Sequence, residues 1–288
     1  MLLDQTIEKA LIELIRDVAR HEIAPRFRRL HPDAVRTKAA FDDLVTEADL
    51  CSEQAITAGV NRLLPDAVVI GEEAVAANPA LLDRLPGAKL AVVIDPIDGT
   101  WNFANGLAIH GVLIAVTERD ETQFGLLYDP VMDDWIMARR GGGAWYCRPD
   151  SEPVQLFVSS EKPLNAMIGF ISTFGFAVAE RAHVNNAVLG FARAHALRCA
   201  CHEYRLLVQG NVDFYINASA KPWDHAAGAL AVQEAGGAVG MMDGREYAPT
   251  LREGCVIAAN SPQALDAIRQ QFTNPERRST IEPSLREE

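Results

Sequence analysis

The sequence predicts an α+β protein in which an antiparallel sheet half is followed by a mixed α/β half. Short β-branched and aromatic runs follow one another from about residue 89 to residue 147, and after residue 118 only brief turns separate them. After about residue 160 such runs alternate with helical patterns. The 288 residues include 49% hydrophobic and 23% charged side chains, which is the composition of a globular protein with a substantial core.

Two helices are predicted before the first sheet. Apolar side chains recur at helical spacing between Ile7 and Val18, and charged side chains occupy the rest of that helical surface. A second helical pattern follows Asp49 and ends at Pro65. Both segments are therefore expected to lie against a core through one face.

The first sheet half is predicted to be antiparallel. Its candidate strands cover residues 89–95, 111–118, 123–128, 134–138 and 144–147. Parallel neighbours would need crossovers of a dozen or more residues, and the three connections between residues 118 and 144 are shorter. The turn at Gly141-Gly142-Gly143 is one of these short connections.

The second half is predicted to alternate strands with helices. Candidate strands cover residues 167–172, 196–201, 212–216, 238–242 and 255–258, and candidate helices cover residues 177–193, 202–209 and 225–235. Ser261-Pro262 has the form of a helix start, and the helix is expected to continue to about residue 272. The charged segment 274–288 is expected to be loose, and two domains are expected, at residues 1–155 and 156–288.

Composition and charge narrow the classes of function. With 27 Lys+Arg against 39 Asp+Glu, the net charge is −12, which disfavours partners bound through nucleic-acid phosphates or anionic lipid. Five cysteines without a C-x-x-C pair do not indicate a disulfide scaffold. We expect a cytoplasmic protein without a signal core or a membrane span.

Carboxylates occur in three separate segments at the predicted ends of elements. They are Gly71-Glu72-Glu73 after an apolar run, Asp95-Pro96-Ile97-Asp98-Gly99-Thr100 after a strand, and Trp223-Asp224-His225 at the start of a helix. Asp95 is expected to end its strand, because proline cannot donate to the ladder. Asp95, Asp98 and the carbonyl between them offer only oxygen ligands, which suit Mg²⁺ better than zinc.

A phosphate-binding segment is predicted directly after these acids. A short helix starting at Thr100 would leave the amides of Gly99 and Thr100 available to a phosphate oxygen, and the Thr100 hydroxyl could orient a water. Each acidic segment taken alone also has a structural interpretation as a turn, a solvated loop or a helix start. Their joint occurrence favours phosphate chemistry.

Together these motifs resemble those of the inositol monophosphatase family of Mg²⁺-dependent, lithium-sensitive phosphatases. The matches occur in family order and cover most of residues 38–240: D-L-V-T-E-A-D at 43–49, G-E-E at 71–73, D-P-I-D-G-T at 95–100, and W-D-H-A-A-G at 223–228. The resemblance implies a layered α-β-α-β-α sandwich, hydrolysis of a small phosphate monoester such as inositol 1-phosphate, and a homodimer.

The resemblance also implies roles for individual residues. Glu72, Asp95 and the Ile97 carbonyl would hold one Mg²⁺, and Asp95, Asp98 and Asp224 a second. A weaker third ion would lie near Glu72, and Mn²⁺ can substitute for Mg²⁺. Thr100, hydrogen-bonded to Asp49, would position and activate the water, while the amides of Gly99 and Thr100 bind the phosphate. Lys38 matches a family lysine near the site.

Departures from the family pattern lie where the substrate is selected. Family members carry a small Gly-Thr-Ala-Ala turn and a glutamate before the Trp-Asp motif, whereas this chain has Cys201-His202-Glu203-Tyr204 and Asn217. Glu203, Arg205 and Asn217 are candidate substrate contacts, although residues 202–205 could equally begin a packed helix. Histidinol phosphate, fructose bisphosphate and bisphosphorylated nucleotides stay open as substrates. A non-catalytic regulatory binding protein on the same fold is the alternative of a different class.

Overall fold

The computed structural model describes residues 4–38 and 44–273, and in these ranges it contains eight α-helices and fourteen strands. The helices are α1 (Gln5–Val18), α2 (Glu47–Leu63), α3 (Glu72–Ala77), α4 (Thr100–Ala104), α5 (Val178–Val188), α6 (Ala200–Val208), α7 (Pro222–Glu234) and α8 (Pro262–Thr273). The strands are β1 (Val35–Thr37), β2 (Leu44–Thr46), β3 (Val68–Gly71), β4 (Ala91–Asp98), β5 (Gly111–Glu118), β6 (Glu121–Asp129), β7 (Asp134–Arg139), β8 (Gly143–Cys147), β9 (Val154–Leu156), β10 (Ile168–Ile171), β11 (Arg193–His195), β12 (Phe214–Asn217), β13 (Ala238–Met241) and β14 (Val256–Ala259).

A seven-stranded sheet in the order β3-β4-β5-β6-β7-β8-β9 forms the first β layer. β3 pairs with β4 in parallel, and the pairs from β4 to β9 are antiparallel, which confirms the prediction from the short connections. Side chains along β4 alternate between two cores. Val92 and Ile94 face α1 and α2, whereas Ala91 and Val93 face the helices on the other side of the sheet.

Helices α1 and α2 cover the outer face of this sheet. Asp4 caps α1 by accepting hydrogen bonds from the amides of Thr6 and Ile7. Thr46 and Asp49 form a capping box at the start of α2. The sequence thus predicted both helices, with the apolar stripe of α1 on the core side.

Helices α6 and α7 fill the layer between the two sheets. Small residues allow α7 to approach its neighbours closely. A Cβ on Gly228 would lie 2.2 Å from the Tyr204 ring, and a Cβ on Gly125 would lie 2.7 Å from the Ala227 carbonyl. Close packing of α7 on the first sheet fixes the position of its N-terminus, where Asp224 lies.

The second sheet has the strand order β11-β10-β12-β14-β13, with both parallel and antiparallel pairs. α5 and α8 cover its outer face, and Phe191 packs on Phe214 with ring centroids 4.3 Å apart. The layers therefore follow the order α-β-α-β-α. No helix within the described residues is both long and apolar enough to cross a membrane.

Two sequence-based predictions about local structure are wrong. The predicted strand at 196–201 is absent: β11 ends at His195, and Cys199 is the N-cap of α6, which already contains Cys201. Arg198 has a left-handed backbone (φ +57°), which interrupts any extended run. The strand predicted to end at Asp95 continues to Asp98, because the chain bulges between Asp95 and Asp98 and resumes pairing with Gly111. Asp43 of the first family motif and the segment 274–288 lie outside the described residues.

Candidate active site

The predicted acidic residues meet at one edge of the first sheet. β3 and β4 are parallel neighbours with Gly71 opposite Ile94, so their carboxyl ends reach the same edge. Glu72 follows directly as the first residue of α3, and Asp95 follows directly in β4. Asp224 arrives from the first turn of α7, which packs on β4, β5 and β6.

Asp95 is the most deeply buried acid of this group, with 2% of its surface exposed. Its Oδ1 atom is buried and has no hydrogen-bond partner among residues 4–38 and 44–273. Burial raises the pKa of Asp95 well above its usual range, and the nearby carboxylates of Glu72, Asp98 and Asp224 raise it further. A buried carboxylate among like charges is costly without a compensating cation.

Asp98 is held by the segment that starts α6. Its Oδ2 atom accepts hydrogen bonds from the Cys201 amide and from the Cys199 thiol, the latter at 3.1 Å. Burial and then the charge of Asp224 raise the pKa of Asp98 to about 7. The position of Asp98 therefore depends on a segment about one hundred residues away in the sequence.

Lys38 pairs with the acids at the start of α3. Its Nζ atom lies 3.1 Å from Glu72 Oε1 and 2.6 Å from Glu73 Oε1. Burial opposes the charge of Lys38, but Glu72 and Glu73 outweigh that effect and raise the pKa of the lysine. Glu53 of α2 accepts hydrogen bonds from the amides of Glu73 and Ala74, so it anchors the first turn of α3.

Thr100 and Asp49 are in direct contact. The Thr100 hydroxyl lies 3.0 Å from Asp49 Oδ1 and 3.0 Å from the Ile97 carbonyl. Asp49 Oδ2 accepts hydrogen bonds from the amide and the hydroxyl of Thr46. Burial raises the pKa of Asp49 to about 6 even though the bonds from Thr46 oppose the shift. Asp49 is thus fixed with one oxygen on Thr46 and the other on Thr100.

Gly99 gives the backbone the bend that separates β4 from α4. It has φ +85°, and a Cβ at this position would lie 2.9 Å from the Ile109 carbonyl. Thr100 is the first residue of α4, so the amides that begin this helix lie beside the acids.

An open cleft of about 810 Å³ joins these residues to the second half of the chain. Seven predicted site residues line it: Glu72, Asp98, Gly99, Thr100, Glu203, Asn217 and Asp224. Asp95 and Ile97 are buried at the end of β4, next to the cleft-lining Asp98. The structure thus brings together residues from four separate parts of the sequence.

Among the three candidate substrate contacts, Arg205 does not reach this cleft. It is buried, donates a hydrogen bond to the Leu127 carbonyl at 2.8 Å and forms an ion pair with Asp134 of β7. Glu203 and Asn217 border the cleft, but each is also hydrogen-bonded to another residue of the protein. Glu203 accepts the Leu197 amide at 2.7 Å, and burial raises its pKa to about 8. The Asn217 amide group donates to the Tyr215 hydroxyl, at 2.8 Å.

His225 has a packing role beside Asp224. Its ring nitrogens lie 2.9 Å from the Tyr204 hydroxyl and 2.8 Å from the Ser219 carbonyl, and burial lowers its pKa to about 4. Sequence reasoning missed the contributions of Glu53, Cys199 and Cys201. Glu53 is a charged residue on the buried side of α2, and no local pattern distinguishes it from an exposed glutamate.

The residues present fit a hard divalent cation by their chemistry. The group offers carboxylate and carbonyl oxygens, and Asp95 Oδ1 is a buried acceptor to which no described residue donates a hydrogen bond. Within residues 4–38 and 44–273, however, no three His, Cys, Asp or Glu side chains already form a cluster close enough to hold a metal. Glu72 is paired with Lys38, and Asp98 accepts the Cys201 amide.

Comparisons with known proteins agree with the geometry. A family model described as "Inositol monophosphatase family" matches residues 3–276. The "Fructose-1,6-bisphosphatase/inositol-1-monophosphatase" of Thermotoga maritima is 30% identical over 235 residues, which is 82% of this chain and 84% of that protein. The "Nus factor SuhB" of Pasteurella multocida is 33% identical over 214 residues, or 72% of this chain and 75% of that protein. A solved structure of an IMPase from Thermotoga maritima aligns with a TM-score of 0.75 at 27% identity, covering 91% of this chain and 94% of that one.

Proposed function

The chain belongs to the inositol monophosphatase family, and we propose that it is a Mg²⁺-dependent hydrolase of small phosphate monoesters. The observation that carries this proposal is the buried Asp95, which has one oxygen without a hydrogen-bond partner in the described part of the chain and is close enough to Glu72, Asp98 and Asp224 for their charges to raise its pKa. A protein that only bound partners would gain nothing from burying these acids near one another, since burying like charges costs stability.

Five residues would hold the cations. They are Glu72, Asp95, Asp98 and Asp224 through their carboxylates and Ile97 through its carbonyl, as the family resemblance implies. When bound, two or three Mg²⁺ ions would neutralise the phosphate and stabilise the departing alkoxide. The amides of Gly99 and Thr100 would orient the phosphate at the start of α4.

Thr100 and Asp49 would handle the proton of the attacking water. The Thr100 hydroxyl donates to Asp49 Oδ1, which leaves a lone pair of Thr100 to accept a hydrogen bond from water. Because the pKa of Asp49 is about 6, its carboxylate is ionised at neutral pH and can receive a proton relayed through Thr100. Thr46 prevents Asp49 from turning away.

A phosphate-release assay with a panel of monoesters tests the proposal. The folded protein should release phosphate from inositol 1-phosphate or a similar polyol phosphate only when Mg²⁺ or Mn²⁺ is added, and Li⁺ and excess Mg²⁺ should inhibit it. Histidinol phosphate, fructose 1,6-bisphosphate and adenosine 3′,5′-bisphosphate, assayed side by side, would identify the preferred class. No release from any of these substrates would overturn the proposal.

The second candidate function is that of a regulatory binding protein. It is favoured by the relatives from Pasteurella multocida and Haemophilus influenzae that are named Nus factor SuhB. Under this alternative, a catalytically inactive variant such as Asp224→Asn would replace the native protein in the cell without loss of function. Under the phosphatase proposal, the same variant would fail to replace it.

Location and assembly are also part of the proposal. A cytoplasmic location is supported by the five cysteines, all of which are free thiols. A homodimer is proposed from the family resemblance, and light scattering on the purified protein would test it.

A further inference from the structure

A second cavity lies on the α1 side of the first sheet. Its volume is about 460 Å³, which is within the usual range for small-molecule sites. We call it the α1 cavity, and the residues that characterise it are Glu8, Lys9 and Ile12 of α1, Met137 and Arg139 of β7, and Trp145 of β8. None of its described lining residues also lines the catalytic cleft, so the two sites are separate.

The floor of the α1 cavity is an apolar part of the sheet that stays partly exposed. Met137 lies opposite Trp145 in the register of β7 and β8, and both side chains are only partly buried against the core on the α1 side. The indole of Trp145 is fixed, because its Nε1 atom donates a hydrogen bond to the Gly142 carbonyl at 2.8 Å. A fixed indole beside a methionine offers a flat apolar surface on which an aromatic ring can stack.

One wall of the α1 cavity is positively charged although it contains a buried acid. Both carboxylate oxygens of the buried Glu8 accept hydrogen bonds from Arg139, one of them from Nε at 2.6 Å. This bidentate pair compensates the charge of Glu8 and fixes the guanidinium. Within the described part of the chain, no residue accepts a hydrogen bond from Nη1 of Arg139. Lys9, which follows Glu8 on α1, adds a second cation at this wall.

A further acid lies at another lip of the α1 cavity. Glu152 belongs to the segment before β9 and is exposed, so water and salt screen its charge. The guanidinium of Arg139, in contrast, is held in place by a buried partner. An anionic ligand group is therefore expected at the α1 wall and not beside Glu152.

We propose that the α1 cavity binds a small molecule that combines a flat apolar ring with one carboxylate group. The ring would stack on Trp145 and Met137, and the carboxylate would accept hydrogen bonds from Nη1 of Arg139 and from the ammonium group of Lys9. This site does not depend on the proposed phosphatase activity, since it uses other residues on another side of the sheet.

Three probes that share one ring system test the charge of the ligand. 2-Naphthoate is anionic, 2-naphthylmethanol is neutral, and 2-naphthylmethylamine is cationic at neutral pH. Calorimetric titration of each probe into the metal-free protein measures binding without turnover, and the absence of Mg²⁺ prevents naphthoate from binding through a metal. We expect 2-naphthoate to bind about tenfold more tightly than the alcohol, and the amine to bind no more tightly than the alcohol.

The positive wall is tested with Lys9→Gln. This variant should bind 2-naphthoate about threefold more weakly than the native protein and should bind the alcohol unchanged. Lys89→Gln is the matched control, because Lys89 is also exposed and does not line the α1 cavity, and it should behave as the native protein does. Arg139 itself stays in place, because its removal would leave Glu8 buried without a cation.

The floor and the acidic lip are tested with one variant each. Trp145→Leu should bind 2-naphthoate and the alcohol about fivefold more weakly, because the ring loses its stacking surface. Glu152→Gln should bind 2-naphthoate at least as tightly as the native protein does. A loss of naphthoate binding in Glu152→Gln would contradict the placement of the carboxylate at the α1 wall.

Two results would overturn the whole site. One is equal affinity of the native protein for the three probes, and the other is unchanged binding of 2-naphthoate by either Lys9→Gln or Trp145→Leu. If no probe bound and light scattering showed a native dimer that dissociated in Trp145→Leu, this face would instead be a contact between two copies of the chain.

Discussion

Thr100 and Asp49 are 51 positions apart in the sequence, and their side chains meet at 3.0 Å. Each is at the start of a helix, Thr100 in α4 and Asp49 in the capping box of α2. Asp49 therefore has two functions in one side chain: it stabilises the helix start through Thr46 and orients the hydroxyl of Thr100.

This contact predicts that Thr100→Ala will be nearly inactive. Removing the hydroxyl takes away the group proposed to hold the attacking water, so kcat should fall about 10²-fold or more with little change in KM. Thr100→Ser keeps a hydroxyl and should stay within about fivefold of the native kcat. Steady-state kinetics at saturating Mg²⁺ measures both effects.

The result for Thr100→Ser decides between a chemical and a structural role. If Thr100→Ala and Thr100→Ser lost activity equally while both stayed folded by circular dichroism, the hydroxyl would not be the group that matters. The proposed proton relay through Asp49 would then be wrong.

Asp95→Asn is predicted to stabilise the metal-free protein while it removes activity. The raised pKa of Asp95 shows that its ionised form is disfavoured by burial and by Glu72, Asp98 and Asp224. Removing that charge should raise the melting temperature in EDTA by about 2 °C or more. Phosphate release should fall about 10³-fold, equivalent to about 4 kcal/mol.

Added Mg²⁺ gives this prediction a second readout. Ligands that bind only the folded state raise its melting temperature, so Mg²⁺ should stabilise the native protein but not Asp95→Asn. Asp66→Asn is the control, because Asp66 is exposed and outside the cleft, and it should behave as the native protein does. If Mg²⁺ stabilised Asp95→Asn and the native protein equally, Asp95 would not be a ligand of the metal.

The acidic cluster could be predicted from the sequence because element ends determine it. Glu72 directly follows β3, Asp95 lies toward the carboxyl end of the parallel neighbour β4, and Asp224 lies in the first turn of a helix that packs on the same sheet. Residues at such ends project beyond the sheet whatever the details of packing. The Thr46–Asp49 capping box depends only on a local pattern of residues, so it too can be recognised in a sequence.

The segment around Cys199 could not be predicted in this way. Alternating apolar residues at 196–201 resemble a strand, but Asn102 and Glu203 hold Leu197 from both sides and Arg198 takes a left-handed backbone. These are tertiary contacts, which override local propensity. The division into domains at residue 155 stays a prediction.

His110 makes stability depend on pH. It packs between the rings of Phe27 and Phe103, at 4.8 and 5.0 Å, and burial lowers its pKa from 6.5 to about 4. The charge of His202 lowers it further, whereas Asp129 and a backbone hydrogen bond with Leu107 oppose the shift. The folded protein therefore keeps His110 neutral in a range where the unfolded chain protonates it.

Because the unfolded chain protonates His110 more readily than the folded protein does, His110 lowers the free energy of unfolding as the pH falls from 6.5 toward 4. Above pH 6.5 the side chain is mostly neutral in both states and this loss is small. At pH 5 the loss amounts to about 2 kcal/mol. His110→Phe cannot take up the proton, so its free energy of unfolding should fall by about 2 kcal/mol less than that of the native protein between pH 7 and pH 5. Denaturant titrations at the two pH values measure this difference, and equal losses would contradict the assignment to His110.

Arg205 is predicted to matter for stability and not for substrate binding. Its guanidinium is buried against Asp134, which also accepts a hydrogen bond from the Tyr146 hydroxyl at 2.7 Å. Arg205→Met would leave the Asp134 carboxylate buried without its cation, which should cost about 3–5 kcal/mol. Adding Asp134→Asn should recover much of that loss, because the uncompensated charge is then gone.

Denaturant unfolding measures the stability of both variants. The KM of the folded fraction should stay within about twofold, since Arg205 does not line the cleft. A variant of native stability with a KM raised tenfold would instead restore Arg205 as the substrate contact that its position in the sequence indicated.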